Sequence, residues 1–125
     1  MIAVDTCVVI AFLEGDTGPD IDIFEELIAT KRAVLPPSGV TELLSDPKGG
    51  AQAGSVIASL ARLELDDGYW ERAGLLRAEV RRTGRKAALG DALIAQACID
   101  ADVPLLTRDA DFKAFVAAGG LKLAL

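Results

Sequence analysis

Short apolar runs alternate with longer amphipathic stretches along this chain, and their lengths sort them into strands and helices. Ile2–Val4, Ala33–Leu35, Leu63–Leu65, Val103–Leu106 and Leu121–Leu125 are too short for helices and read as strands, with 63–65 at an edge. Between them the pattern predicts helices over Cys7–Leu13, Ile23–Thr30, Ser38 to about Leu44, Ala51–Ala61, Tyr69–Arg82, Ala92–Ala101 and Phe112–Ala117. Ser38 is the expected N-cap of its helix. The 23–30 helix places Ile23, Phe24, Leu27 and Ile28 on one face, and the 69–82 helix turns Trp70, Ala73, Leu76 and Val80 toward a core. Residues 92–101 are apolar or small almost all round, which predicts a helix buried on most of its surface. Gly15–Asp22 and Asp46–Gly50 are Gly- and Pro-containing loops, and Gly84 ends a helix. Strands alternating with helices predict an α/β fold, with a mainly parallel central sheet of about five strands and helices on both faces. At 125 residues it is one domain, 1–125, without repeats or linkers.

The pattern also places acids. Asp5 follows the first strand, Asp109 and Asp111 follow the 103–106 strand, Asp91 opens the most buried helix and Glu42 lies early in another. In an open parallel sheet the carboxyl ends of the strands form the ligand crevice. Each acid has an ordinary explanation: Asp5 caps the helix after it, and Glu42 faces solvent. Glu42 is four residues after Ser38, so the three-residue spacing of a capping box does not account for it.

Composition narrows the chemistry. There are no histidines, which removes Ser-His and Cys-His triads and His-rich zinc sites. Two cysteines make no disulfide framework, and Cys7 and Cys98 read as core thiols. Asp and Glu number 19 against 13 Lys and Arg, a net charge of -6. If four acids are gathered in one crevice, the remainder is close to neutral, so the overall sign says little about substrate. Carboxylates that close together repel strongly unless a cation stands among them, and all-oxygen ligation suits Mg²⁺ or Mn²⁺. Arg81, Arg82, Arg85 and Lys86 crowd just before the Asp91 helix, either as a solvated helix end or as a phosphate-contacting patch. Arg108 is a further candidate for such contacts. The longest apolar run, Val8–Leu13, is too short for a bilayer, and the N-terminus lacks a basic leader, so a cytoplasmic protein is expected.

Four motifs in order, Val-Asp-Thr at 4–6, Thr-Glu-Leu at 41–43, Asp-Ala-Leu-Ile-Ala at 91–95 and Leu-Leu-Thr-Arg-Asp-Ala-Asp-Phe at 105–112, resemble those of PIN domains. The particular resemblance is to the VapC-type toxins of prokaryotic toxin–antitoxin pairs, over nearly the whole chain. It implies a Mg²⁺-dependent endoribonuclease, held inactive by a VapB-type antitoxin, with a homodimer as the expected assembly and no membrane partner. The family's acids match Asp5, Glu42, Asp91 and Asp109, Asp111 is a further acid, and Thr107 matches a hydroxyl position near the metal. On this reading Asp5, Asp91 and Asp109 hold the metal, Glu42 positions or deprotonates the attacking water, and Thr107 orients a ligand. One departure is Cys7, where Asn or Ser is frequent; a thiol is a weaker hydrogen-bonding group. An antitoxin helix would need an apolar groove, for which Ile23–Ile28 and Val56–Leu60 are the sequence candidates.

Two other classes compete. A phosphoacceptor signalling domain also binds Mg²⁺ at strand ends, but would show an acidic pair after the first strand, where this chain has Asp5-Thr6-Cys7. A catalytically silent interaction module would carry the same acids for solubility alone.

Overall fold

The computed structural model describes residues 1–125. The elements run β1 (Ile2–Val4), α1 (Thr6–Leu13), α2 (Pro19–Ala29), β2 (Ala33–Leu35), α3 (Pro37–Ser45) and α4 (Gly50–Ser59). They continue with β3 (Ala61–Arg62), α5 (Tyr69–Arg82), α6 (Leu89–Ala101), β4 (Leu105–Leu106), a 3-10 turn (Ala110–Phe112) and α7 (Lys113–Gly119). The strands form one parallel sheet in the order β3-β2-β1-β4. The expected fifth strand contributes a single parallel bridge, Leu105 to Leu123, with Leu105 N–H donating to Lys122 O and Ala124 N–H to Leu105 O, both at 2.9 Å. It occupies the place of a fifth strand without extending into one.

Side-chain alternation along the strands divides the interior into two cores. Ala3, Val34 and Leu105 face one side, where they meet Leu76 and Val80 of α5, Ala92, Ala95 and Cys98 of α6, and Phe112 and Phe115. Val4, Ala33, Leu35 and Leu106 face the other, against Val8 and Val9 of α1, Ile21, Phe24 and Leu27 of α2, Leu43 of α3 and Ile57 of α4. Helices therefore cover both faces, as the pattern predicts. β1 and its two neighbours, β2 and β4, are covered on both sides, which is why they read as apolar runs and not as alternating ones.

Several boundaries depart from the sequence reading, each for a local reason. Helix α2 begins at Pro19, inside the expected loop, because proline fits the first helical position and Asp20 and Asp22 suit the first turn. Helix α3 likewise begins at a proline, Pro37; Ser38 is two residues past the cap position, which Pro36 takes, and its Oγ is buried without a hydrogen-bond partner. β3 forms at 61–62, not 63–65, because pairing of Ala61 with Val34 and Arg62 with Leu35 sets its register. Trp70 is 64% exposed and Tyr69 takes the inward position, its hydroxyl donating to Leu93 O at 2.6 Å. Of the two stretches offered as an apolar groove, Ile23, Ile28 and Val56 pack largely against the core. What stays open there is a cleft of about 440 Å³ lined by Ile28, Lys31, Ala33, Ser59, Leu60 and Ala61. No helix is long and apolar enough to cross a membrane.

Candidate functional site

A parallel sheet presents all its strand ends at one edge, and the acids gather there. Asp5 leaves β1 and Asp109 lies three residues past β4, while α6 starts at the same edge and carries Asp91 in its first turn. Asp91, Asp109 and Asp111 each place an oxygen within 4.8 Å of the others. Asp5 and Glu42 stand beside this trio and reach it through hydroxyl groups.

Asp5 is 6% exposed, and both its oxygens are engaged. Oδ1 accepts from Thr6 N–H at 2.8 Å, so the carboxylate caps α1 as well as facing the site. Oδ2 accepts from Thr107 Oγ1 at 2.7 Å and from Cys7 Sγ at 3.1 Å. Thr107 Oγ1 also accepts from Asp109 N–H at 3.0 Å, and Asp109 Oδ1 accepts from Asp111 N–H at 2.9 Å. On the other flank Thr6 Oγ1 donates to Glu42 Oε1 at 3.3 Å. A chain of contacts thus runs from Glu42 through Thr6, Asp5 and Thr107 to Asp109.

Two neighbours of Asp5 complete these contacts. Thr6 stands out in the sequence only as part of a motif, and Cys7 reads there as a core thiol and as a departure that weakens a polar contact; in the fold Cys7 is half-buried and does donate to Asp5. Burial, then the charge of Asp5, push its thiol up to about 11, so it stays protonated and able to donate. Gly90, which the sequence does not mark, brings the start of α6 beside Glu42: a Cβ there would lie 3.6 Å from Glu42 Oε2, an ordinary contact distance.

The electrostatics are those of charges held together without counter-charge. Burial raises Asp91 to about 6, and Asp109, Asp5, Glu42 and Asp111 push in the same direction. Burial and then Asp5 also raise Glu42, against a smaller opposing effect of the Thr6 hydroxyl. No Lys or Arg pairs with any of these five acids; the ion pairs of Arg32, Arg72, Arg82, Arg108 and Lys122 all lie elsewhere. Like charges a few ångströms apart at reduced dielectric are strongly unfavourable. A hard divalent cation fits this donor set, which is all oxygen and mostly carboxylate.

The candidate basic residues fall differently. Arg81, Arg82, Arg85 and Lys86 are exposed on the end of α5 and the connection into α6, where Arg77 Nε holds Ala87 O at 2.9 Å. Arg82 is paired with Glu79. Arg108 turns its guanidinium away from the acids, to Asp16 and Asp20. Beside Glu42 and Gly90 opens an apolar cleft of about 480 Å³, walled by Pro37, Leu65, Tyr69, Trp70, Leu89 and Leu93.

Comparison with curated proteins finds no match. Among solved structures, VapBC2 from Rickettsia felis, bound to a DNA fragment from its promoter, is similar at TM-score 0.77. That similarity has 21% identity and covers 98% of this chain and 97% of that one. FitAcB from Neisseria gonorrhoeae is similar at TM-score 0.71 and 17% identity, covering 98% of this chain and 96% of that one. At such identities the likeness is one of fold. The profile of the PIN domain matches residues 2–117, a span that takes in every acid of the site, and the chain belongs to the PIN domain family.

Proposed function

We propose that this protein is a divalent-metal-dependent endoribonuclease and the toxin of a VapBC-type toxin–antitoxin pair. The observation that carries the chemistry is the meeting of Asp91, Asp109 and Asp111 beside Asp5 and Glu42, with no basic side chain to neutralise them. Asp5, Asp91 and Asp109 would hold Mg²⁺ or Mn²⁺, with Asp111 as a further ligand. The bound ion would supply charge neutralisation and polarise a phosphate oxygen.

The chain's own groups then have distinct tasks. Thr107 and Cys7 hold Asp5 Oδ2 in place, and Thr6 N–H holds Oδ1, so the Asp5 carboxylate is oriented in advance. Glu42 lies at the rim with one oxygen on Thr6 Oγ1. Burial and the charge of Asp5 raise its pKa, which makes it a stronger base than an ordinary glutamate and suits removal of a proton from an attacking water. Hydrolysis of the phosphodiester by that water needs no nucleophilic side chain. Arg81, Arg82, Arg85 and Lys86, all exposed, would meet RNA phosphates.

The toxin reading draws on the resemblance to VapC-type proteins and on the fold shared with VapBC2 and FitAcB. It brings with it a VapB-type antitoxin as partner, a homodimer and the cytoplasm as the place of action. A phosphoacceptor role is disfavoured, because Asp5 is followed by Thr6 and Cys7 where a second acid would be expected, and no lysine pairs with an acid of the site.

The test is direct. The chain expressed alone should arrest growth, and co-expression with the neighbouring reading frame should relieve the arrest. The purified protein should cleave RNA with Mg²⁺ or Mn²⁺ and not with chelator. Metal-independent cleavage, or none with either ion, defeats the nuclease reading; cleavage without a growth defect defeats only the toxin.

A further inference from the structure

Arg108 stands between Thr107 and Asp109 in the chain, yet its side chain leaves the acidic site and grips the opposite loop. Nη1 donates to Asp16 Oδ2 at 2.6 Å, Nη2 donates to Asp20 Oδ1 at 3.2 Å and to Thr17 O at 3.1 Å, and Nε pairs with Asp20 Oδ2. Asp20 is only 5% exposed, in the first turn of α2. A carboxylate so buried is tolerated because the planar fork of an arginine meets both its oxygens. The guanidinium holds Asp16 and Asp20 below the usual carboxylate range, and Arg108 is itself shifted upward by both.

The loop is shaped to close on this group. Gly18 has φ +146°, and a Cβ there would lie 2.9 Å from Asp20 Oδ1 and 3.5 Å from Arg108 Nη2. The main chain of residue 108 is held too, since its N–H donates to Cys7 Sγ at 3.4 Å. Residue 108 is thus tied to α1 through its backbone and to α2 and the loop before it through its side chain.

We propose that Arg108 is a positioning residue of the metal site, its clasp on Asp16 and Asp20 fixing the stretch from Thr107 to Asp111 so that its acids face Asp91. The stretch has little packing of its own: Thr107 and Asp109 are half-buried, and Ala110 and Asp111 are exposed. Repulsion within the Asp91, Asp109 and Asp111 trio pushes it outward whenever no cation is bound. A side-chain anchor reaching 88 residues back along the sequence opposes that push without adding positive charge to the site. The proposal rests on the trio being a metal site.

Arg108→Lys keeps the charge and loses the fork. Arg72→Lys is the matched control, because Arg72 makes the same kind of fork on Asp100, at the far end of α6 from Asp91. Two quantities would be measured well below melting: amide exchange at Asp109 and Asp111 in metal-free protein by NMR, and the dissociation constant for Mn²⁺. In Arg108→Lys both amides should exchange faster than in the parent, and Mn²⁺ should bind about 10- to 100-fold more weakly, the scale seen when a metal ligand loses its supporting partner. RNA cleavage should recover at saturating Mn²⁺. Arg72→Lys should lower the melting temperature and move neither quantity. Asp16→Asn, which removes only the exposed arm of the clasp, should act in the same direction as Arg108→Lys and more weakly. Parent-like Mn²⁺ affinity in a folded Arg108→Lys, or equal effects of Arg108→Lys and Arg72→Lys, overturns the proposal. A parent that binds no Mn²⁺ defeats the nuclease reading instead; parent-like exchange at Asp109 and Asp111 in Arg108→Lys then overturns the clasp as well.

Discussion

Asp91 shows how a single side chain carries the tension of the site. Its carboxyl is raised from 3.8 to about 6, first by burial and then by four neighbouring acids. A folded-state pKa above the unfolded one means that the folded protein binds more protons between those values, so stability falls as pH rises from about 4 to about 6. In the metal-free protein Asp91→Asn should therefore stabilise the fold at pH 7, by on the order of 1 kcal/mol once solvent screening of this half-buried group is discounted, raising the melting temperature and flattening that part of the pH profile. Thermal melts at pH 4 to 7 in chelator check this; an unchanged profile would mean that neither burial nor the neighbouring acids raise Asp91. Glu42 tests the division of labour. Glu42→Gln keeps the shape and the contact with Thr6 but removes the basicity, so RNA cleavage should fall about 10²- to 10⁴-fold while most Mn²⁺ binding remains. Parent-like cleavage by Glu42→Gln would return it to a solvent-facing helix residue. At this scale Asp5, Asp91 and Asp109 were legible because their places at strand and helix ends follow from the hydrophobic pattern. The contacts of Thr6 and the Arg108 clasp were not, and Cys7 was legible only as a departure at a polar position, because all three depend on which way a side chain turns once the strand ends are brought together.

Helix α6 is the element on which the site turns, and its sequence is legible because burial leaves no room for periodicity. Ala92, Ile94, Ala95, Ala97 and Cys98 are at most 1% exposed, and Gln96 is buried with its amide donating to Asp100 Oδ1 at 2.8 Å. Small residues along the helix let it pack closely on α5, with further contacts to α3 and α7. Enlarging one should be felt at once: Ala95→Leu is expected to cost about 1 to 3 kcal/mol in denaturant melts, whereas Ala88→Leu, on the exposed connection before the helix, should be near neutral. A well-tolerated Ala95→Leu would contradict the close packing of α6. Other elements were harder to place from sequence. Pro19 and Pro37 punctuate the chain in the same way whether they end one element or start the next, and only the surrounding packing decides that both open helices. The β3 register and the reduced last strand depend on pairing with β2 and β4, which lie far away in sequence. Tyr69 and Trp70 are adjacent, and the aromatic that turns inward is the one whose hydroxyl finds a carbonyl partner in α6.

On the scale of the whole molecule, net charge and site charge separate. The chain carries -6 overall, yet the acids that matter are concentrated at one edge of the sheet, and bases stand nearby on the end of α5 and the connection after it. Folding brings Asp5, Asp91, Asp109 and Asp111 together and so stores a repulsion that the unfolded chain does not have. A divalent cation that binds only the folded state relieves it and stabilises the protein by mass action. At a metal concentration 100 times the dissociation constant the gain is about 2.7 kcal/mol, which for a domain of this size is a rise in melting temperature of roughly 10 °C. Asp91→Asn and Asp109→Asn should lose most of that rise while folding normally, since an asparagine at 109 can still accept from Asp111 N–H through its amide oxygen. Asp5→Asn is a poorer probe: the buried carboxylate accepts from Thr6, Cys7 and Thr107, and an amide nitrogen either faces the Thr6 N–H, donor against donor, or forces the Thr107 hydroxyl and the Cys7 thiol to turn their own donors away. Its melting temperature should fall even in chelator. Melting curves of the parent that ignore millimolar Mg²⁺ and Mn²⁺ would show that the gathered carboxylates are accommodated without a cation, and the metal-dependent mechanism would fall with them.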